Sequence, residues 1–452
     1  MDKKHYDRPL ITRIEAGMPG KFGLRSELPP TTHIDGQPVA ELIKTYGSPL
    51  FVFSEQTIRS IYRKALKAFT TRYPKVQFAW SYKTNYLSSI CNIFHQEGAW
   101  AEVVSGFEYE KALENGVDPR KIIFNGPGKT HEELVKATEN GSLIHIDHLD
   151  ELYTLIEVAE STERKPRVAI RINMDTGIYP MWDRFGFNYE NGQAWDALNK
   201  IMYSGKLELM GLHTHIGTFI MTANAYAVAA TKMVELARAL KQKFNFQVKY
   251  IDMGGGFASR NTLKGSYLPG SDTNPSFDEY AEAISSALIN SHFTPDDLPL
   301  LILETGRALI DEAGYILTSV IANKRLSAGR RATIVDAGVN LLFTSFWYQH
   351  QVTVAQGVSQ YREDTTLYGP LCMNIDCIRE SINLPVLNPG DHLVIHHTGA
   401  YNVTQWMQFI TFRPNVILID GTGETHLIRE KEGRESVSGK ELLPGHLKNI
   451  RE

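Results

Sequence analysis

From about residue 76 the chain repeats a single unit. A short run rich in Val, Ile and Phe ends in polar or glycine residues, and an amphipathic helical pattern follows. The spacing predicts strands over 76–83, 100–105, 121–126, 142–147, 167–173, 208–213, 247–253 and 299–304. It predicts helices over 86–97, 107–115, 131–140, 149–160, 192–204, 222–243 and 276–290. Thr130-His131-Glu132-Glu133 reads as a capping box: the threonine hydroxyl accepts from the Glu133 amide, and the Glu133 carboxylate reaches back to the Thr130 amide. Met233, Leu236, Ala237 and Leu240 recur at helical spacing on another helix. Alternating strands and helices imply a parallel sheet covered by helices. Eight strands predict a closed (β/α)8 barrel rather than an open sheet.

After residue 312 the texture changes. YILTSVIA, ATIVDAG, QVTVAQG, HLVIHH and NVILID are short, β-branched runs separated by turn residues, and they predict a second, mostly-β domain. The segment before residue 50 carries Pro29-Pro30, Gly36 and Pro38. It reads as a loop that packs on the β domain or closes the barrel bottom. The expected organisation is an N-terminal segment over 1–50, a barrel over 51–311 and a β domain over 312–452. A chain of 452 residues accommodates both domains. Lys plus Arg number 47 against 51 Asp plus Glu, a net charge of −4, which gives no electrostatic basis for nucleic acid or an anionic membrane as partner. No apolar run approaches the ~18 residues needed to span a bilayer, and the N-terminus has no signal-peptide core. Three cysteines, Cys91, Cys372 and Cys377, are too few for a disulfide framework. A cytoplasmic protein is expected.

Barrel enzymes carry their chemistry at the C-terminal ends of the strands. Here those ends hold Lys83, Ser105, Asn125, Asp147, Arg171, His213 with His215, Gly254-Gly255-Gly256, and Glu304-Thr305-Gly306-Arg307. A lysine at such an end is a solvated rim residue or a partly desolvated amine that gives up its charge and forms a covalent bond to a carbonyl. Three successive glycines make either a tight turn or an anion nest for a phosphate, with Arg307 a natural second ligand. His213 and His215 share one strand face, a spacing that also suits a metal, and His145 and Asp147 could join them. No strong ligand motif supports that, and no metal is expected. Gly128-Lys129-Thr130 imitates a phosphate-binding loop, but Ile123 stands where its first glycine is required. In the β domain, Tyr368-Gly369-Pro370-Leu371-Cys372 could expose a thiol, and Tyr401 of Gly399-Ala400-Tyr401 is either core or a phosphate ligand.

Taken together, these motifs resemble the fold-type III pyridoxal-phosphate (PLP) decarboxylases, the family of diaminopimelate and ornithine decarboxylase, whose barrel is of the alanine-racemase type. The resemblance covers roughly residues 45–430, in the family's motif order. FAWSYKTN is similar to the family's lysine motif, which implies that Lys83 carries the cofactor. GLHTHIG implies that His215 stacks on the pyridine ring and that Thr218 stands near the phosphate. IDMGGGF resembles the phosphate loop of Gly254, Gly255 and Gly256. LETGR gives Glu304 the ring nitrogen and Arg307 the phosphate or substrate, with Thr305 where the family has proline. YGPLC implies a catalytic Cys372 that crosses a homodimer interface and returns a proton after carbon dioxide leaves. GAY implies that Tyr401 holds the phosphate. A carboxylate beside the ring nitrogen deepens the electron sink, whereas the related racemases place arginine there. Glu304 therefore favours decarboxylation.

Two departures concern the substrate. Diaminopimelate decarboxylases have an acid directly after the cysteine, where this chain has Met373, with Asp376 the next acid. They carry an arginine where DAGVNLLFTSFWY has Thr344, while Tyr348 is retained. With Arg307, these residues form the expected substrate-binding set. The expectation is a PLP-dependent amino-acid α-decarboxylase, acting on an amino acid or amino-acid conjugate other than diaminopimelate. The alternatives are meso-diaminopimelate decarboxylase itself, a racemase, and a non-catalytic PLP-binding regulatory homologue.

Overall fold

The structure is a computed structural model that describes residues 28–448 apart from 267, 292, 295, 296 and 358–360. Eight parallel strands close into a barrel: Val76–Ser81, Trp100–Val103, Ile122–Phe124, Leu143–Ile146, Arg167–Asn173, Glu208–Thr214, Tyr250–Asp252 and Leu300–Leu303. Closure comes from pairing of the eighth strand with the first, Leu301 opposite Val76 and Leu303 opposite Phe78. Each strand forms at a segment expected from the sequence, Glu208–Thr214 running one residue beyond it. The seven helices between them match their expected segments to within two residues at either end, and the Thr130/Glu133 capping box forms as expected.

The sequence reading did not include the helix Glu55–Thr70, which buries Ile58, Tyr62, Ala65, Ala68 and Phe69. It packs against both Phe277–Ile289 and Ser88–Gln96 and completes the outer ring. A helix before the first strand is needed there because the chain leaves the barrel after strand eight. The short helix Arg307–Ile310 leads directly into the long strand Gly314–Arg325.

That strand organises the second domain. It pairs with Arg331–Val335, His392–His396 and Leu50–Ser54, and Val416–Ile419 joins Leu50–Ser54 in parallel. Leu50–Ser54 thus belongs to the β domain, and the barrel begins at Glu55 rather than at residue 51. A five-residue apolar strand does not itself reveal which sheet it joins. The preceding segment is not merely a loop: Val39–Tyr46 is a helix whose Val39, Leu42 and Ile43 pack with Leu50, Val52, Leu317 and Val394 of this sheet. Residues 1–27 of the expected N-terminal segment lie outside the described residues.

The barrel interior is filled rather than open. Ala79, Ile123, Leu143, Ala169, Tyr250 and Ile302 form one buried cluster across it. Gly211 makes room for Tyr250. A Cβ there would lie 2.5 Å from the Tyr250 carbonyl oxygen and 2.7 Å from its ring. Gly211→Ala is therefore expected to destabilise the fold by about 1–3 kcal/mol, read as a lower midpoint in urea unfolding.

Candidate active site

The polar strand ends converge on one cavity, lined by Ser81, Lys83, Trp182, His215 and Thr218, by the glycine loop, and by Glu304, Arg307 and Tyr401. Lys83 sits in a single 3-10 turn at the end of the first strand. Its Nζ donates to both carboxylate oxygens of Glu102, each at 2.7 Å. Burial opposes the ammonium charge, but Glu102, with Tyr401 and Glu304 behind it, outweighs that and raises the Lys83 pKa. Of the two readings of this lysine, neither holds as stated: it is neither a solvated rim residue nor an amine that has lost its charge, but partly buried and paired. In the cofactor-free arrangement the amine is held as an ion pair, and a carbonyl must displace it from Glu102.

Glu102 is fully buried on the second strand and also accepts from Ser81 Oγ at 2.5 Å and from Asn125 Nδ2 at 3.0 Å. The same Asn125 nitrogen donates to Glu304 at 2.6 Å. Around Glu304 stand His213 at 3.3 Å and His145 at 3.8 Å. The His145 and His213 ring centres lie 4.4 Å apart with the rings tilted by 30°, and His145 Nε2 meets the Tyr250 hydroxyl at 2.8 Å. Burial holds both histidines well below the usual imidazole pKa, with His213 adding to the effect on His145 and Arg171 to that on His213. Both are neutral at pH 7 and able to share hydrogen bonds. His145, His213 and Glu304 have metal-binding chemistry and lie close together.

The glycine loop is built for close approach. A Cβ on Gly254 would come 2.5 Å from the Thr214 carbonyl oxygen, and one on Gly255 2.6 Å from that of Glu304. Gly254 and Gly256 have φ of 66° and 97°. The Tyr226 hydroxyl fixes the loop by donating to the Gly255 carbonyl at 2.7 Å. Arg307 lies 4.6 Å from the Tyr401 ring and 4.9 Å from the Tyr348 ring, with Asp311 at 3.8 Å. Tyr401 adopts φ of 65°, and its loop is tied to the lysine turn: its amide donates to Thr84 O at 2.9 Å, and Thr404 Oγ1 donates to Lys83 O at 2.8 Å. Trp182, on the loop after the fifth strand, stacks parallel to His215 at 5.7 Å and 7°.

Other sequence candidates are engaged elsewhere. Ser105 caps the helix Gly106–Glu114. Asp147 stands 3.8 Å from Arg171, and Lys129 forms a buried ion pair with Glu151 at 2.8 Å. Thr344, expected in the substrate set, is buried, and its hydroxyl meets Asn402 Oδ1 at 2.9 Å and His350 Nε2 at 2.8 Å. Asp376, expected there too, accepts from the Val339 and Leu371 amides at 2.8 and 2.7 Å and so shapes the cysteine loop. Within one chain neither residue lines the cavity, nor do Tyr348, Cys372 and Met373. Cys372 is exposed, whereas Cys91 is buried and its thiol is pushed up to about 12. A larger cavity of about 370 Å³ beside Pro370, lined by Ile321, Ile410 and Phe412 among others, has no comparable convergence of polar groups.

Sequence reasoning missed Glu102 and Trp182 and gave Asn125 no role. Glu102 had one signal, a carboxylate inside the apolar run AEVV. Trp182 lies on an irregular loop and had none.

Buried polar atoms without a hydrogen bond belong to the same set of residues: Glu304 Oε2, His215 Nδ1, and Arg307 Nε and Nη1. An amine, a glycine cradle beside a guanidinium, a flat imidazole and a buried carboxylate fit a phosphorylated pyridine aldehyde. A family model described as pyridoxal-dependent decarboxylase, pyridoxal binding domain, matches residues 58–311. The chain belongs to this family. It is a carboxy-lyase that uses pyridoxal 5'-phosphate. The diaminopimelate decarboxylase of Aquifex aeolicus is 29% identical over 420 residues, 89% of this chain and 94% of its own. The solved diaminopimelate decarboxylase of Methanocaldococcus jannaschii is 28% identical with a TM-score of 0.84, covering 92% of this chain and 96% of its own. That of Helicobacter pylori, solved with L-lysine, is 26% identical with a TM-score of 0.79, covering 88% and 98%.

For this decarboxylase the glycine loop is the most exacting element, because its limits are backbone atoms. A Cβ on Gly256 would meet the Gly217 carbonyl in a left-handed conformation. Gly256→Ala is expected to weaken cofactor binding by about tenfold or more, measured by titrating the cofactor-free protein with pyridoxal phosphate.

Proposed function

We propose that the enzyme releases carbon dioxide from the α-carbon of an amino acid, with Lys83 the residue that binds the cofactor covalently. The observation that carries this is Lys83 and Glu304 facing one cavity across the barrel closure. The bound cofactor supplies the electron sink. Glu304 offers a carboxylate to the ring nitrogen, and His215, backed by Trp182, offers a flat face to the ring. Gly254, Gly255, Gly256, Thr218, Arg307 and Tyr401 would hold the cofactor's phosphate. Glu102 holds the Lys83 amine when it is free. Lys83→Ala is expected to fold and to lose the visible absorption of the bound cofactor. Borohydride reduction and peptide mapping should label Lys83, and label on another lysine would defeat the assignment.

Cys372 does not line the cavity of a single chain and stands exposed on its loop. Exposed Ile321, Ile410 and Phe412 flank that loop's Pro370. These features support a homodimer in which Cys372 and Met373 complete the partner's site. Mixing Lys83→Ala and Cys372→Ala chains should then restore part of the activity, because one site of each heterodimer has both groups. No recovery after verified subunit exchange would count against a shared site.

For the substrate, the relatives support meso-diaminopimelate, the alternative to the reading taken from the sequence: proteins of that name match about nine-tenths of the chain. A second reading, an amino acid or conjugate with a different distal end, rests on Thr344 and Met373. A distal ammonium and carboxylate need fixed opposite charges, since a buried unpaired charge costs several kcal/mol. Thr344 is neutral and already bonded to Asn402 and His350, and Met373 offers only apolar surface. Steady-state kinetics decide between them. Turnover of meso-diaminopimelate with kcat/KM of about 10⁴ M⁻¹s⁻¹ or more establishes the first reading. Preference for another amino acid in a panel with lysine, ornithine, arginine and glutamate establishes the second.

A further inference from the structure

We propose that Asn125 is a positioning residue that joins the two ends of the cofactor site, holding Glu102, the partner of Lys83, and Glu304, the carboxylate offered to the ring nitrogen, through one side-chain amide. Asn125 directly follows the third strand and is 4% exposed. Its Nδ2 donates to Glu102 Oε1 at 3.0 Å and to Glu304 Oε1 at 2.6 Å, which uses both of its protons. The orientation follows from chemistry: turned over, the amide would aim its oxygen at two carboxylates. The amide oxygen itself is buried without a partner. Burying such an oxygen carries a desolvation cost that the two donated bonds must offset.

The neighbourhood leaves few other donors for these carboxylates. Glu102 has Ser81 and Lys83. Were Lys83 bonded to the cofactor, its nitrogen would keep at most one of its three protons, the other two leaving with the aldehyde oxygen as water, and Asn125 and Ser81 would be the main donors to Glu102. Glu304 has Asn125 on one side and, at longer range, His213 and His145. Asp252 lies close enough to Glu304 for burial and that carboxylate to raise its pKa well above the usual range. Arg171 and Lys129 are further charged groups near this pocket, and both act on His213 and His145. Removing Asn125 takes the 2.6 Å donor from Glu304, which keeps His213 at 3.3 Å and its neighbour Asp252, and leaves Ser81 as the donor to Glu102 whenever Lys83 is engaged elsewhere.

The inference rests on the cofactor assignment, and the test separates the two. Wild type, Asn125→Ala, Asn125→Ser and Asn125→Asp are loaded with pyridoxal phosphate. The rate at which visible absorbance is lost on dilution into cofactor-free buffer is then followed from about pH 8 to about pH 5.5. A wild type with no visible band would strike the cofactor assignment itself. Asn125→Ala is expected to lose the cofactor about tenfold faster than wild type or more, by a factor that does not change with pH. Asn125→Ser keeps one donor and should fall between the two. In Asn125→Asp the introduced carboxyl faces Glu102 and Glu304. Ionised it can only accept, and protonated it donates one hydrogen bond. Its loss rate should therefore be fastest at about pH 8 and recover toward or beyond that of Asn125→Ala as the pH falls. Retention within about twofold of wild type in Asn125→Ala overturns the proposal, as does an Asn125→Asp profile that parallels Asn125→Ala at every pH. If Asn125→Asp does not fold, the order wild type, Asn125→Ser, Asn125→Ala decides it.

Discussion

The hydrogen bonds between the eighth and first barrel strands are the constraint on which the site depends. Leu301–Leu303 lie beside Val76–Phe78, so the chain just after one strand faces the chain just after the other. Lys83 and Glu304 are 221 residues apart in a linear chain, a separation read directly from the numbering. In an open sheet they would lie at opposite edges. Closure makes them walls of one cavity, and the remaining strands deliver Glu102, Asn125, His145, His213 and the glycine loop to the same end.

Burial then determines what these groups do. The interior below the site is apolar and filled, with Tyr250 fitted against Gly211. Charges above it can persist only when paired, and the pairing is specific: Lys83 with Glu102, Arg171 beside Asp147, Lys129 with Glu151. The imidazoles of His145 and His213 lose their charge instead. The result is a site with fixed hydrogen-bond donors and little freedom to reorganise, the condition under which electrostatic stabilisation of a developing charge is strongest.

The second domain is part of this site rather than an appendage. Leu50–Ser54 crosses from its sheet into the barrel, and Gly314–Arg325 crosses back. The Tyr401 loop bonds to the backbone of the lysine turn through the Tyr401 amide and Thr404. The left-handed Tyr401 backbone, a cost for a residue with a Cβ, is maintained by these contacts. The loop carrying Cys372 points its own polar ties inward, through Asp376, and leaves the cysteine exposed.

Patterns confined to one element were legible in the sequence. Alternation fixed all eight barrel strands, the Thr130/Glu133 spacing fixed a helix start, and three consecutive glycines marked a close approach, because periodicity and backbone sterics act within a few residues. The helix Glu55–Thr70 was equally legible from Ile58, Tyr62, Ala65 and Phe69, though its place in the ring was not. Partnership was decided only by the tertiary structure. LFVFS reads as a strand, but only the fold assigns it to the second sheet. Thr344 reads as a neutral substitute in a substrate pocket, but only packing commits it to Asn402 and His350. A lone Asn125 becomes informative when two carboxylates from the second and eighth strand ends meet it. Hydrogen bonds and ion pairs act over about 3–4 Å, and nothing in a one-dimensional pattern states which distant residues closure will bring within that range.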